Sequence, residues 1–157
     1  MTFRFAEEKD CGLILGFIRA LAEYEKMSDQ VVATEALLRE WIFEKKKAEV
    51  LFVCEEGQAV GMALFFHNFS TFLGRAGIYL EDLFVLPEFR GRGYGRALLR
   101  RLARLAVERG CGRLEWACLD WNRPGIDFYL SLGAAPLAEW TTYRLTGDTL
   151  DEAAKQT

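Results

Sequence analysis

Histidine is nearly absent from this chain, and the four cysteines, at 11, 54, 111 and 118, include no C-x-x-C pair. With only His67 to assist them, zinc coordination and thiol catalysis have no ligand set, so no metal is expected and the thiols are expected to be reduced and mostly buried. Long apolar runs are missing as well: no stretch reaches the roughly 18 residues of a membrane span. The opening Thr2-Phe3-Arg4-Phe5-Ala6-Glu7-Glu8-Lys9 lacks the apolar core of a signal peptide. No membrane partner is expected, and the expected location is cytoplasmic. Nor is there an excess of positive charge, since the formal net charge is −3, which argues against a nucleic-acid partner. Repeats and low-complexity tracts, the marks of an extended scaffold, are also lacking.

What is present suits one globular domain over residues 1–157 with a real core, because 51% of the residues are hydrophobic; a polar tail begins at about 147. Charge is unevenly spread. Arginines stand at 75, 90, 92, 96, 100, 101, 104, 109 and 113, opposed only by Glu81, Asp82, Glu88 and Glu108, whereas the first 56 residues are rich in acids such as Glu7, Glu8, Asp10, Glu23, Glu25 and Asp29. An anionic cofactor and a cationic acceptor could use that split, although Arg100, Arg101 and Arg104 fall largely on the solvated face of a helix.

The most informative run is Leu83-Phe84-Val85-Leu86-Pro87-Glu88-Phe89-Arg90-Gly91-Arg92-Gly93-Tyr94-Gly95-Arg96. An apolar strand feeds a glycine turn that opens a helix, predicted from about Tyr94 to Arg109 by the stripe Leu98, Leu99, Leu102, Leu105 and Ala106. Such a helix N-terminus offers free N–H donors and a partial positive charge, and Arg90, Arg92 and Arg96 surround it: a cradle for phosphates. A Rossmann turn needs G-x-G-x-x-G and a P-loop needs G-K-[S/T]; neither is here.

Along the rest of the chain the patterns predict a strand at Phe3–Ala6, a helix from about Lys9 to Glu25, and a second helix capped by Thr34. A hairpin follows (Glu49–Glu55, turn at Glu56-Gly57-Gln58, Ala59–Phe69), then a loop over Ser70–Gly77 and the cofactor strand and helix. A strand at Leu114–Leu119, a helix from about Pro124 to Leu132 and a strand near Trp140–Leu145 complete the order. The class is α/β (α+β), a mixed sheet flanked by helices.

Arg90-x-x-Gly93-x-Gly95 in this setting resembles the acetyl-coenzyme A signature of the GNAT superfamily of N-acetyltransferases. The blocks Ile78–Val85, Trp121-Asn122-Arg123-Pro124, Asp127–Ala134 and Leu21–Met27 resemble those of its spermidine/spermine (diamine) branch. The likeness covers roughly residues 3–146. It implies acetyl-CoA as cosubstrate and a GNAT-like central sheet. It also implies a homodimer and, as acceptor, a small cationic amine: a polyamine, a diamine or a lysine-like amino acid.

Acyl transfer to an amine needs a neutral nucleophile, a polarised carbonyl and a proton for the departing thiolate. An amine of pKa about 10.4 is about 0.1% neutral near pH 7.4, so about 4 kcal/mol is at stake unless a base assists. Glu81 and Asp82 interrupt an apolar strand, where an unpaired carboxylate is expensive, and simple alternation sends them to opposite faces. The resemblance favours Glu81 as the catalytic and acceptor-facing acid and makes Tyr129 the general acid. Main-chain N–H groups around Leu83, Phe84 and Val85 are expected to hold the carbonyl. Arg90, Gly91, Arg92, Gly93, Tyr94, Gly95 and Arg96 are expected to bind the cofactor's phosphates, and Asn122 with Pro124 to lie at its pantetheine arm, Asn122 having helix capping as its ordinary role. Tyr24, Glu25, Glu115 and Trp116 match acceptor-contact positions. Thr141, with Glu139 two residues earlier, stands where the polyamine enzymes carry an acid, which leaves recognition of a distal amine open. His67 is expected to end a strand in water. A peptide or protein N-acetyltransferase and a non-catalytic CoA-binding module are the alternatives; Glu81 together with Tyr129 speaks against the module.

Overall fold

The computed structural model describes residues 1–155, which fall into two compact units, Met1–Ala117 and the described residues from Cys118 onward. The first holds a five-stranded mixed sheet in the order β1-β2-β3-β4-β5, formed by β1 (Thr2–Phe5), β2 (Glu49–Glu55), β3 (Gln58–Ser70), β4 (Arg75–Val85) and β5 (Leu114–Trp116). The first four are antiparallel neighbours, and β5 runs parallel to β4. Three helices belong to this unit: α1 (Cys11–Tyr24), α2 (Glu35–Leu38, continued by a π-turn over Arg39–Glu44) and α3 (Tyr94–Glu108).

Both faces of the sheet are covered, so β2 reads as an unbroken buried run from Val50 to Cys54 rather than as an alternating strand. On one face Val50, Phe52, Cys54, Met62 and Phe84 pack with Ile14 and Phe17 of α1 and with Ile42. Alternation sends Leu51, Val53, Ala63 and Phe65 to the other face, the side of α3 with its buried Leu98, Leu102 and Leu105. β1 is tied to the start of α1 by Arg4, whose guanidinium grips the buried Asp10 at 2.7 and 2.9 Å. That hydrogen bond holds the Asp10 carboxyl below its ordinary range. Thr34 caps α2 as expected, its hydroxyl accepting from the Leu37 N–H at 3.2 Å.

Helix α3 is fastened to β2 at both ends. At its start the Tyr94 hydroxyl donates to Glu55 at 2.5 Å; at its end Arg109 forks onto Glu49 at 2.6 and 2.8 Å. His67, expected to end a strand in water, is exposed as expected but lies within β3 rather than at its end, with Nε2 3.3 Å from the same arginine.

The second unit contains α4 (Arg123–Ser131) and α5 (Asp148–Lys155). The strand expected near Trp140–Leu145 is not formed: Trp140 and Tyr143 are exposed and residues 141–146 are irregular. A six-residue apolar-polar pattern has no stability without a ladder beside it, and no strand pairs with this one. The tail, expected to be a polar, frayed turn, carries α5. The Thr149 hydroxyl donates to the Thr146 carbonyl at 2.7 Å, and Asp148 and Asp151 at the start and Lys155 at the end suit the helix dipole.

Candidate active site

Two pieces of the first unit carry chemistry, and both are attached to β4. The first is the glycine turn. A short 3-10 segment at Pro87–Phe89 leads into it, and Gly91 and Gly93 have φ of 75° and 86°, the left-handed region in which a side chain is strained. A Cβ at either glycine meets nothing within 4 Å, so the ground in front of them is open. Gly93 is also the N-cap of α3, whose first turn closes with Ala97 N–H donating to the Gly93 carbonyl at 2.9 Å. The N–H groups of Tyr94, Gly95 and Arg96 precede that bond and head the helix dipole. Main-chain donors, a helix end and open space fit a pyrophosphate. Tyr94 is buried, and its hydrogen bond to Glu55 pushes its hydroxyl pKa up, which fixes the first turn from behind.

The arginines differ in their engagement. Arg92 is exposed, 3.5 Å from Glu55, with its guanidinium 5.2 Å from the Phe89 ring. Arg90 turns back from the phosphate side: its Nε donates to the Val85 carbonyl at 3.0 Å and its guanidinium carbon lies 4.8 Å from the Tyr24 ring and 5.0 Å from the Phe84 ring.

The second piece is the carboxylate face of β4. Leu64 pairs with Asp82 and Phe65 with Leu80, so Glu81 is an extra residue opposite a single step of β3. That bulge corrects the expectation that Glu81 and Asp82 point apart. Asp82 shares the face of its partner Leu64, which packs against the α1 core; Leu80 shares the opposite face with Phe65; alternation from Leu80 then puts Glu81 on the side of Asp82. Both carboxyls therefore crowd one face. Asp82 is the more enclosed, and burial first, then the charges of Glu81 and Glu25, push its pKa up to about 6. Glu81 itself is exposed. Tyr79, two residues before Glu81, has its hydroxyl pKa raised by burial and by Glu81 and Glu115.

Helix α1 ends over this face. Lys26 at φ 61° turns the chain, with Met27 N–H closing onto the Ala22 carbonyl at 2.8 Å. The Tyr24 ring meets the Phe84 ring edge-on, 6.5 Å between centres, and burial raises the Glu25 carboxyl. Of the predicted acceptor residues, then, Tyr24, Glu25 and Glu81 gather around Asp82 and Phe84. Glu115, on β5, is in a close ion pair with Arg113, and its neighbour Trp116 is half-buried. Sequence reasoning placed Asp82 second to Glu81 and gave Phe84 only a main-chain role. The signal for Asp82, an acid inside an apolar strand, was there; the bulge that turns it inward was not.

β5 pairs with β4 only from Ile78 to Leu80, so within the sheet the outer edge of Glu81–Val85, with the main chain of Leu83, Phe84 and Val85, has no strand beside it. Unpaired main-chain donors and acceptors along such an edge suit an extended, amide-bearing ligand.

In the second unit the Asn122 side chain caps α4 by accepting from the Gly125 N–H at 3.2 Å, with Pro124 in the first turn. Tyr129 is half-buried on α4 with its ring 5.3 Å from that of Phe128. Glu139 and Thr141 are exposed. Among the described residues no group of His, Cys, Asp and Glu could hold a metal ion, and no helix is long and apolar enough to cross a membrane.

Comparison with known proteins agrees with this geometry. The profile described as "Acetyltransferase (GNAT) family" matches residues 14–134. The chain is 43% identical to a thialysine N-epsilon-acetyltransferase of Bos taurus over 98% of this chain and 97% of that one. It is 44% identical to an L-ornithine N5-acetyltransferase of Arabidopsis thaliana over 60% of this chain and 42% of that one. A spermidine/spermine N(1)-acetyltransferase-like protein of Homo sapiens is 30% identical over 96% of this chain and 23% of its own length. Among solved structures, an integron cassette protein of V. cholerae superposes with a TM-score of 0.82 at 28% identity, covering 99% of this chain and 98% of the other.

Proposed function

Because this chain belongs to the acetyltransferase (GNAT) family, an acetyl-CoA-dependent group, we propose that it acetylates the side-chain amine of a small lysine-like amino acid. The near full-length identity to thialysine acetyltransferases carries this reading. The bulged pair of carboxyls beside two aromatic rings supports it.

The cosubstrate supplies an acetyl thioester when bound. The main chain of the turn from Arg90 through Gly91, Arg92, Gly93, Tyr94 and Gly95 to Arg96 is proposed to hold its pyrophosphate, and the open edge at Leu83, Phe84 and Val85 its amide-bearing arm, with Asn122 and Pro124 beyond. Glu81 and Asp82 draw the acceptor's ammonium to their face and take its proton, directly or through water. Asp82 is suited to this because enclosure has lifted its affinity for a proton toward neutrality without leaving it protonated at pH 7.4. Tyr24 and Glu25 line the approach, with Glu115 and Trp116 as outer contacts, and Tyr129 holds at its hydroxyl the proton that the departing sulfur needs. One catalytic domain over residues 1–157, a homodimer and a cytoplasmic location are part of the same proposal; light scattering at micromolar concentration tests the dimer, and a monomer mass would remove it.

The decisive measurement is thiol release across a panel of thialysine, lysine, ornithine, spermidine, putrescine and an unstructured lysine peptide. The expected outcome is the highest kcat/KM for a free amino acid. Preference for the peptide would overturn the reading in favour of a protein acetyltransferase.

A further inference from the structure

In the run Gly91-Arg92-Gly93-Tyr94-Gly95 three of the five residues bring no side chain to hold them, and their wide conformational freedom would blur a cradle made of main-chain N–H groups. The other two, Arg92 and Tyr94, both reach one carboxylate. The Tyr94 hydroxyl donates to Glu55 Oε1 at 2.5 Å, and Arg92 Nη1 lies 3.5 Å from Oε2. Phe89 joins the cluster from the entry to the turn: its ring meets the Tyr94 ring edge-on, 6.3 Å between centres, and the Arg92 guanidinium carbon lies 5.2 Å from its centre.

Glu55 reaches this position through the sheet. Leu51 and Val53 of β2 are buried on the α3 side, and alternation brings Glu55, the last residue of β2, to the same side. Its half-buried carboxylate stands behind the end of a helix whose leading N–H groups suit an anion. By charge alone it is misplaced, because it opposes a second anion at that helix end and neutralises part of what Arg92 could offer. What it supplies is position. Tyr94 is the first residue of α3 and is buried, so anchoring its hydroxyl sets the rotation of the first turn and the direction of the N–H groups of Tyr94, Gly95 and Arg96.

We propose that Glu55 is a positioning residue for the acetyl-CoA site, holding the glycine turn through Tyr94 and Arg92 in the shape that accepts a pyrophosphate. The inference rests on the acetyl-CoA reading of the turn and adds to it a residue 39 positions away from Tyr94 in the chain. The three glycines are then ordered on folding rather than on binding, which raises affinity by preorganisation. Glu49, at the opposite end of β2, grips the far end of α3 through Arg109 and provides the comparison: the same helix and the same strand, away from the turn.

Calorimetry with acetyl-CoA tests the role, since charge and position predict opposite signs. Loss of the acid tightens binding if charge is what counts and loosens it if position does. Glu55→Ala is expected to weaken binding about 10-fold, the scale of one lost hydrogen bond to a charged group. Tyr94→Phe, which removes the same hydrogen bond from the other side and keeps the ring, is expected to match it, and the double variant to lose little more. Glu55→Gln still accepts from the Tyr94 hydroxyl and is expected to bind within about twofold of wild type or tighter. Glu49→Ala is expected to stay within about twofold although it releases the other pin of α3, with thermal melts showing that each variant is folded. Glu55→Ala binding as well as wild type, Glu55→Gln as weak as Glu55→Ala, or Glu49→Ala as weak as Glu55→Ala would overturn the positioning role while leaving the turn as the cosubstrate site. A wild type without affinity for acetyl-CoA would overturn both.

Discussion

The phosphate turn and the carboxylate face share one stretch of chain, Glu81 to Arg96, yet they are made of different materials. The turn is proposed to work with main-chain N–H groups, and its geometry suits them: Gly91 and Gly93 sit at positive φ, and Arg90 folds back onto the Val85 carbonyl. The face is proposed to work with side chains, which the main chain aims through the extra residue at Glu81. A site built from backbone depends on where a Cβ is missing. A site built from side chains depends on register with the next strand.

Gly93→Val puts the largest strain on the comparison. It places a β-branched residue at φ 86° in front of the α3 donors, and affinity for acetyl-CoA is expected to fall by about 10³-fold, from two or more lost charge-assisted contacts. Calorimetry reads the loss, and a thermal melt shows that the fold persists; unchanged affinity would remove the turn from the site. Tyr129→Phe comes next. Turnover is expected to drop by about 10²- to 10³-fold with little change in cosubstrate affinity, because a proton donor is deleted and the ring stays. Wild-type turnover in that variant would end its role as general acid.

Asp82→Asn tests the side-chain half directly, with kcat/KM expected to fall by about 10- to 100-fold. With a folded-state value of about 6, the wild-type carboxyl loses its charge as pH falls through 6, so kcat/KM is expected to rise with pH across that range and the variant to lack the rise. The stability sign is opposite to that of a salt-bridged acid. The native state holds this proton more tightly than the unfolded chain, so the group costs stability as pH climbs from about 4 to 6, on the order of 1 to 3 kcal/mol when complete. Asp82→Asn is therefore expected to melt higher than wild type at pH 8 and to lose that advantage near pH 4. The smallest effect is expected at the rim. Glu115 is held by Arg113, and Glu115→Gln is expected to change kcat/KM by less than about threefold.

What the sequence made legible follows the same division. Gly91, Gly93 and the α3 stripe were readable because residue type alone dictates a left-handed φ or a buried face. The capping roles of Thr34 and Asn122 were readable for the same local reason. The shared face of Glu81 and Asp82 was not, since alternation holds only while the register does, and the shift lies between Leu64 and Phe65 on the partner strand. Trp140–Leu145 failed in the opposite sense: its pattern is that of a strand, but pattern does not supply a neighbour. The tail was misread although Thr146, Asp148 and Thr149 form a legible helix start.

The two fastenings of α3 set a condition on length. From Tyr94 to Arg109 the helix advances about 22 Å at 1.5 Å per residue, and from Glu49 to Glu55 the strand advances about 20 Å at 3.3 Å per residue. Helix and strand are cut to one measure and pinned at both ends, Tyr94 to Glu55 and Arg109 to Glu49. One residue inserted between the pins turns everything beyond it by about 100° and carries one of the two partners off its mark. Descendants of this chain can exchange residues along α3 far more freely than they can add or lose one.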